Sequence, residues 1–237
     1  MLKIITHKII IAGIGAGESD LISLKALDAL HNSDLILVPR SKINVQGIAE
    51  RIILKYSPEK ILTPLLFPMT LNESEREQII FNQLENLLQV IKNSRVIYFP
   101  VIGDSVLYST GKYLYDALKK LLPDIELEII PGISAHSVAC ACAKKFLAMN
   151  DEIFTIIPAT ANDQKILNAI KNSDVTAIYK PSANENLYEM IEQLNQSINL
   201  KKIITVQKAG SPDEKIYYGL ENIKLIKEYM TVVLLWR

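Results

Sequence analysis

Three short clusters in this 237-residue chain place glycine just after an apolar run, where a loop can face a ligand. Gly13-Ile14-Gly15-Ala16-Gly17 follows the apolar run Lys8 to Ala12, Gly103-Asp104-Ser105 follows Val96 to Phe99, and Pro131-Gly132-Ile133-Ser134 follows Leu127 to Ile130. Only 9 residues are glycine, about half the usual share. Three of them within five positions therefore mark backbone that no other residue allows. A dinucleotide is the first ligand to weigh against such a loop. The G-x-G-x-x-G spacing fails, because Glu18 stands where the third glycine belongs and would repel a pyrophosphate. Arg40 could still accept a 2′-phosphate, which leaves an NADP enzyme as an outside reading.

Other reactive side chains are sparse. His7, His31 and His136 are scattered, so neither a metal site nor a covalent catalytic group is visible. Cys140 and Cys142, two apart, are badly spaced for a disulfide and read as packing residues. Arg40 and Lys42 follow the second apolar run; an arginine fork suits carboxylates, although two solvated surface charges are the plainer reading. Asp104 can cap a following helix or meet a cationic ligand.

The elements that must position these residues alternate. Strands are expected at Lys8 to Ala12, Asp34 to Val38 (stopped by Pro39), Val96 to Phe99 (ending at Pro100) and Leu127 to Ile130. Helices are expected at Leu24 to Leu30, Ile48 to Tyr56, Leu71 to Ile91 with Asn72 as a possible cap, and Tyr108 to Leu122. This order predicts a mostly parallel sheet with right-handed crossovers. A small-residue helix, Ser134 to Lys144, opens the second half. Strands Ile153 to Ile157, Val175 to Tyr179 and Ile203 to Val206 then alternate with helices Asp163 to Ile170 and Asn184 to Asn195. Glu214 to Tyr217 and Thr231 to Leu235, separated by Leu220 to Ile226, suggest antiparallel pairing. The fold class is α/β, in two α/β domains: residues 1–124 with a mostly parallel sheet and 125–237 with a mixed one.

Composition bounds the rest. The chain is 49% hydrophobic, with 26 basic and 26 acidic side chains. That excludes disorder, and the balanced charge argues against nucleic acid. No apolar run reaches membrane-spanning length and no secretory pattern is present, so a soluble, cytoplasmic protein with no membrane partner is expected.

Four stretches in order along nearly the whole chain resemble the tetrapyrrole (corrin/porphyrin) methylase family. Gly13 to Ala26 with Ser33-Asp34-Leu35-Ile36 resembles the family's opening G-x-G-P-G-D, L-T-x-K-A and A-D-x-I. Gly103-Asp104-Ser105 to Ser109 is similar to its G-D-P motif, Pro131-Gly132-Ile133-Ser134-Ala135 to its P-G-[IV]-[ST]-[SA], and Ala209-Gly210-Ser211-Pro212-Asp213-Glu214-Lys215 to its late stretch. Val38-Pro39-Arg40-Ser41, Phe67-Pro68-Met69-Thr70, Tyr108-Ser109-Thr110 and Ile156-Ile157-Pro158-Ala159-Thr160 look like the branch that methylates C-20 of precorrin-2 or cobalt-factor II in cobalamin biosynthesis. Ala16, Glu18 and Ser105 depart from the pattern, and Lys180-Pro181 replace the frequent Met-Gly.

The resemblance implies a C-methyltransferase with S-adenosylmethionine as donor, S-adenosylhomocysteine as its product, and a reduced tetrapyrrole as acceptor. It implies a homodimer and an active-site cleft between the domains, the first on the macrocycle side and the second on the cofactor side. Cofactor contacts carry over to Ile102, Gly103, Asp104, Ser109, Thr110, Ser134 and Ala135, and to Pro158, Ala159, Thr160, Lys180, Ala209 and Gly210. Substrate contacts fall on Gly15, Arg40, Lys42 and Met69, with Phe67 beside them. Asp104 and Tyr108 are the catalytic candidates. A base for the meso proton is one of these, His136, or the macrocycle and water; no metal is implied. A sister methylase with another target and a non-catalytic binder are the alternatives.

Overall fold

The structure, a computed structural model, describes residues 6–42, 44–68 and 72–237. Its contacts divide the chain into two compact units, one ending at Ser134 and the other Ala135–Arg237.

The first unit is an all-parallel five-stranded sheet. Its strands are β1 (Lys8–Gly13), β2 (Leu35–Arg40), β3 (Leu62–Leu66), β4 (Val96–Val101) and β5 (Glu126–Ile130), in the order β3-β2-β4-β1-β5. Helices α1 (Leu24–His31) and α2 (Ile48–Tyr56) cover one face, α3 (Glu73–Asn86), α4 (Leu88–Asn93) and α5 (Gly111–Leu121) the other. Covering both faces explains the unbroken apolar runs of β1, β2 and β4. Ile9 and Ile11 pack with Ile80, Leu84, Leu114 and Leu118, while Ile10 and Ala12 pack with Leu30, Ile53 and Tyr98. Ser23 caps α1 and Asn72 caps α3 through side-chain oxygens.

Several expectations shift. β5 pairs with β1 from Lys8↔Glu126 to Ala12↔Ile130. A boundary at 124/125 would cut off that strand, so the first unit runs ten residues further. The expected helix over 71–91 breaks at Leu87 into α3 and α4, and the helix after β4 begins at Gly111 rather than Tyr108; Leu71 lies outside the described residues. Neither Pro39 nor Pro100 ends its strand. β2 and β4 pair only at Leu35↔Ile97 and Ile36↔Tyr98, so both prolines lie where these strands have parted and no ladder N–H is missed between them.

The second unit carries α6 (Ala135–Cys142), β6 (Phe154–Pro158), α7 (Asp163–Lys171), β7 (Val175–Tyr179), α8 (Leu187–Ile198), β8 (Lys202–Gln207), β9 (Lys215–Tyr218) and β10 (Thr231–Trp236). Sheet order is β6-β7-β10-β8-β9, with β6 and β7 parallel and β10 antiparallel to both its neighbours. The two C-terminal strands are antiparallel members of the sheet but do not pair with each other as expected: β9 pairs with β8, and β10 lies between β7 and β8. Ile166, Ile170, Ile191 and Leu194 of α7 and α8 pack on Ile178, Ile203, Val233 and Leu235. β6, β7 and β8 all end at one edge, where Pro158, Tyr179 and Gln207 stand in near register through β10.

Candidate active site

At the carboxyl edge of the parallel sheet, the loops after β1, β4 and β5 meet main chain to main chain. Gly103 N–H donates to the Gly15 carbonyl at 2.7 Å, and Ile14 N–H to the Val101 carbonyl at 2.9 Å. A Cβ added to Gly132 would lie 2.2 Å from the Gly103 oxygen and 2.7 Å from the Gly13 Cα. No side chain fits there. The three glycine motifs, about ninety and thirty residues apart in sequence, thus form one welded corner.

That corner closes the crevice between β1 and β4, where a dinucleotide fold would seat its pyrophosphate. The NADP reading loses its place. Gly103 differs from its partners: its φ is +80°, and a Cβ there would meet nothing within 4 Å. The weld has an open side, and Gly103 faces it.

Half-buried Asp104 holds the corner together. Its Oδ1 accepts from Gly132 N–H at 3.3 Å and Val106 N–H at 3.2 Å, and its Oδ2 accepts from Ser134 Oγ at 3.2 Å. It does not cap α5, whose N-cap position is Thr110. Ser105, where relatives carry proline, donates to the Ile130 carbonyl at 2.7 Å and so anchors the same loop to β5. Ser109 Oγ accepts from Gly111 N–H at 3.0 Å, and Ile102 packs beside the core under α1 and α2. Tyr108 is 45% exposed and left-handed at φ 51°. Burial pushes its phenol above the ordinary value, so near neutrality it keeps its proton: it is a hydrogen-bond donor rather than a base.

The expected substrate residues divide. The fork of Arg40 is not held open for a ligand carboxylate. Glu50 of α2 takes Nε at 2.8 Å and Nη2 at 2.6 Å, and also accepts from Gly47 N–H at 3.3 Å. The Arg40 bond holds the Glu50 carboxyl below its usual range. Gly15 is buried, with its carbonyl taken by Gly103. Lys42 is exposed, and Met69 lies outside the described residues. Phe67 is core, its ring tilted against that of Phe99 with centroids 5.5 Å apart.

The second unit gathers the remaining positions at one sheet edge. Ala159, buried just after β6, donates its N–H to the Tyr179 carbonyl at 2.7 Å; Pro158 is half-buried and Thr160 exposed. Lys180 follows β7 at φ 54°. Ala209 and Gly210 are buried after β8, and Gly210 N–H donates to Glu214 Oε2 at 2.7 Å. At the start of α6, His136 is bound through its backbone N–H (3.2 Å) and Nδ1 (2.8 Å) to the Tyr179 hydroxyl, which removes it as an unattached base. Cys140 is buried, its thiol pushed up to about 11, and both cysteines are free. Among the described residues no group of three or more His, Cys, Asp or Glu could hold a metal, and no helix is long and apolar enough to cross a membrane.

Sequence reasoning missed Glu50, Ser105 and Tyr179. Glu50 lies three residues after Gly47 in a capping arrangement, a signal that was present. The other two are fixed only by tertiary contacts.

Two α/β units, the first with glycine-held loops at the carboxyl edge of its parallel sheet, make up the described chain. Residues 8–223 match the model of the Tetrapyrrole (Corrin/Porphyrin) Methylases, and the chain belongs to that family: it is a methyltransferase of the tetrapyrrole methylase fold. It is 31% identical over 237 residues to a probable cobalt-precorrin-2 C(20)-methyltransferase of Methanocaldococcus jannaschii, covering 98% of this chain and 97% of that one. It is 28% identical to a probable cobalt-precorrin-7 C(5)-methyltransferase of the same organism, covering 94% and 95%. Among solved structures, uroporphyrin-III C-methyl transferase from Thermus thermophilus, complexed with S-adenyl homocysteine, superposes with a TM-score of 0.70 at 14% identity, covering 97% of this chain and 92% of that one.

Proposed function

We propose that this chain transfers the methyl group of S-adenosylmethionine to C-20 of precorrin-2 or its cobalt-containing counterpart in cobalamin biosynthesis. The observation that carries the donor site is the open side of Gly103 in an otherwise close-packed corner. A ligand with sulfonium and ammonium cations fits there, because the half-exposed Asp104 carboxylate adjoins it. Ser134 and Ala135 offer N–H groups at the start of α6 for the donor carboxylate. Ile102, Ser109 and Thr110 complete the first unit's contribution; Pro158 to Thr160, Lys180, Ala209 and Gly210 supply the adenine and ribose contacts.

When bound, the donor supplies an already activated methyl group, so the chain's task is orientation and exclusion of water. Lys42 meets acceptor carboxylates, while Arg40, held by Glu50, fixes the end of β2 beneath it. Tyr108 donates a hydrogen bond to the acceptor. Asp104 already accepts three hydrogen bonds, His136 Nδ1 is bound to Tyr179 and Tyr108 keeps its own proton, so the proton leaving C-20 passes to water or to the macrocycle itself. A cobalt ion belongs to the acceptor and asks for no protein ligand. The homodimer rests on the family resemblance alone.

The motifs Val38-Pro39-Arg40-Ser41 and Pro158-Ala159-Thr160, with the 31% likeness to a protein named for C-20, support that carbon. The 28% likeness to one named for C-5 favours a different carbon as the second reading. The test is methyl transfer from radiolabelled S-adenosylmethionine to each reduced acceptor. Transfer to one of them is expected; donor binding without transfer to any tetrapyrrole would make the chain a non-catalytic binder.

A further inference from the structure

We infer that Tyr179 is a positioning residue for the methyl donor, joining three of the second unit's donor segments into a single surface. The inference rests on the donor assignment made above. Tyr179 is the last residue of β7, and its carbonyl and its hydroxyl reach two different segments. Its carbonyl accepts from Ala159 N–H at 2.7 Å, which fixes the Pro158 to Thr160 turn. Its hydroxyl accepts from the His136 backbone N–H at 3.2 Å and bonds His136 Nδ1 at 2.8 Å, which fixes the first turn of α6. Its own chain continues directly into Lys180, whose left-handed φ of 54° aims the loop after β7.

The hydroxyl oxygen thus holds both the backbone N–H and the ring of His136, and that ring packs on Phe154 at 5.2 Å between centroids. The first turn of α6 and the turn after β6 are therefore held by one residue, the first through its hydroxyl and the second through its carbonyl. A phenylalanine would fill the same apolar space and keep the carbonyl bond, but would release α6.

The test is Tyr179→Phe, with Tyr188→Phe on α8, whose hydroxyl bonds Glu192 of its own helix, as the matched control. S-adenosylhomocysteine binding is measured by calorimetry, and steady-state kinetics are measured for donor and acceptor separately. The donor KM and the S-adenosylhomocysteine Kd should rise about tenfold or more in Tyr179→Phe, as misplaced positioning groups cost that much. Acceptor KM and the thermal midpoint should stay near wild type, the His136 amide should exchange faster with deuterium, and Tyr188→Phe should change none of these. Faster exchange at His136 with donor affinity unchanged would overturn the inference, leaving the hydroxyl a purely structural link. If Tyr179→Phe does not fold, the wild-type protein decides. Added S-adenosylhomocysteine should slow exchange at the His136 and Ala159 amides together, and slowing at only one or neither overturns it. Wild-type protein that binds no S-adenosylhomocysteine would instead sink the donor assignment, and this inference with it.

Discussion

At the carboxyl edge of the all-parallel sheet, the loops after β1, β4 and β5 are held by main chain against main chain, with Gly13, Gly103 and Gly132 in contact. At the corresponding edge of the mixed sheet, the loops are held by side chains and by single turns: Tyr179 to His136, Glu214 to Gly210, and left-handed lysines at 180 and 208. The difference has a physical consequence. Glycine contacts have no slack, because the smallest side chain already overlaps backbone. Side-chain contacts tolerate exchange of neighbouring residues, which is where Lys180-Pro181 departs from the family's frequent Met-Gly.

The strongest challenge to this contrast is Gly132→Ala. Its methyl would sit 2.2 Å from the Gly103 oxygen, and overpacking against backbone costs about 3 kcal/mol or more. A large fall in the denaturation midpoint is expected, and a stable Gly132→Ala protein would mean that the corner is not close-packed.

Gly103→Ala probes the same corner from its open side. Its Cβ meets no protein atom, so only the left-handed backbone is penalised, at about 1 kcal/mol. S-adenosylhomocysteine affinity should nevertheless fall about tenfold or more, as the methyl occupies space assigned to the ligand. Equal losses of stability in both glycine variants would contradict the division into packing and ligand-facing glycines.

Glu50→Gln addresses the acceptor side. The Glu50 carboxyl is held below the ordinary carboxylate range, first by the Arg40 bond and then by the Gly47 N–H. A depressed carboxylate stabilises the fold above its unfolded pKa, and that stability is lost as pH falls through the lower folded value. Wild type should therefore lose stability on acidification through and below the ordinary carboxylate range. Glu50→Gln should be less stable at neutral pH and show a flatter acid limb in pH-dependent denaturation. The smallest change is expected for Lys180→Gly, where relief of the left-handed backbone is offset by the unfolded chain's added freedom and stability stays within about 1 kcal/mol. A larger loss would show that the second edge is as exacting as the first.

Much of the parallel unit is legible in the chain, because strands buried on both faces leave apolar runs at β1, β2 and β4 and because Ser23 and Asn72 cap their helices locally. β3 is not legible: Leu62–Leu66 is five residues long and holds Pro64, tolerated because β3 is an edge strand. The glycines of the site are legible as a motif but not as two kinds. Gly132 and Gly103 look alike in sequence, and only the contacts of an imagined Cβ tell them apart. Arg40 misleads for the opposite reason. Its type suits a carboxylate ligand, and the carboxylate it holds is Glu50, ten residues away on α2.

The most direct measurement uses S-adenosylmethionine labelled with carbon-13 in its methyl group, incubated with the protein and either metal-free precorrin-2 or the cobalt-containing acceptor. Carbon NMR of the product should place the label on C-20 for one of these acceptors. Label on any other carbon would contradict the assignment and point to a sister activity within the same family.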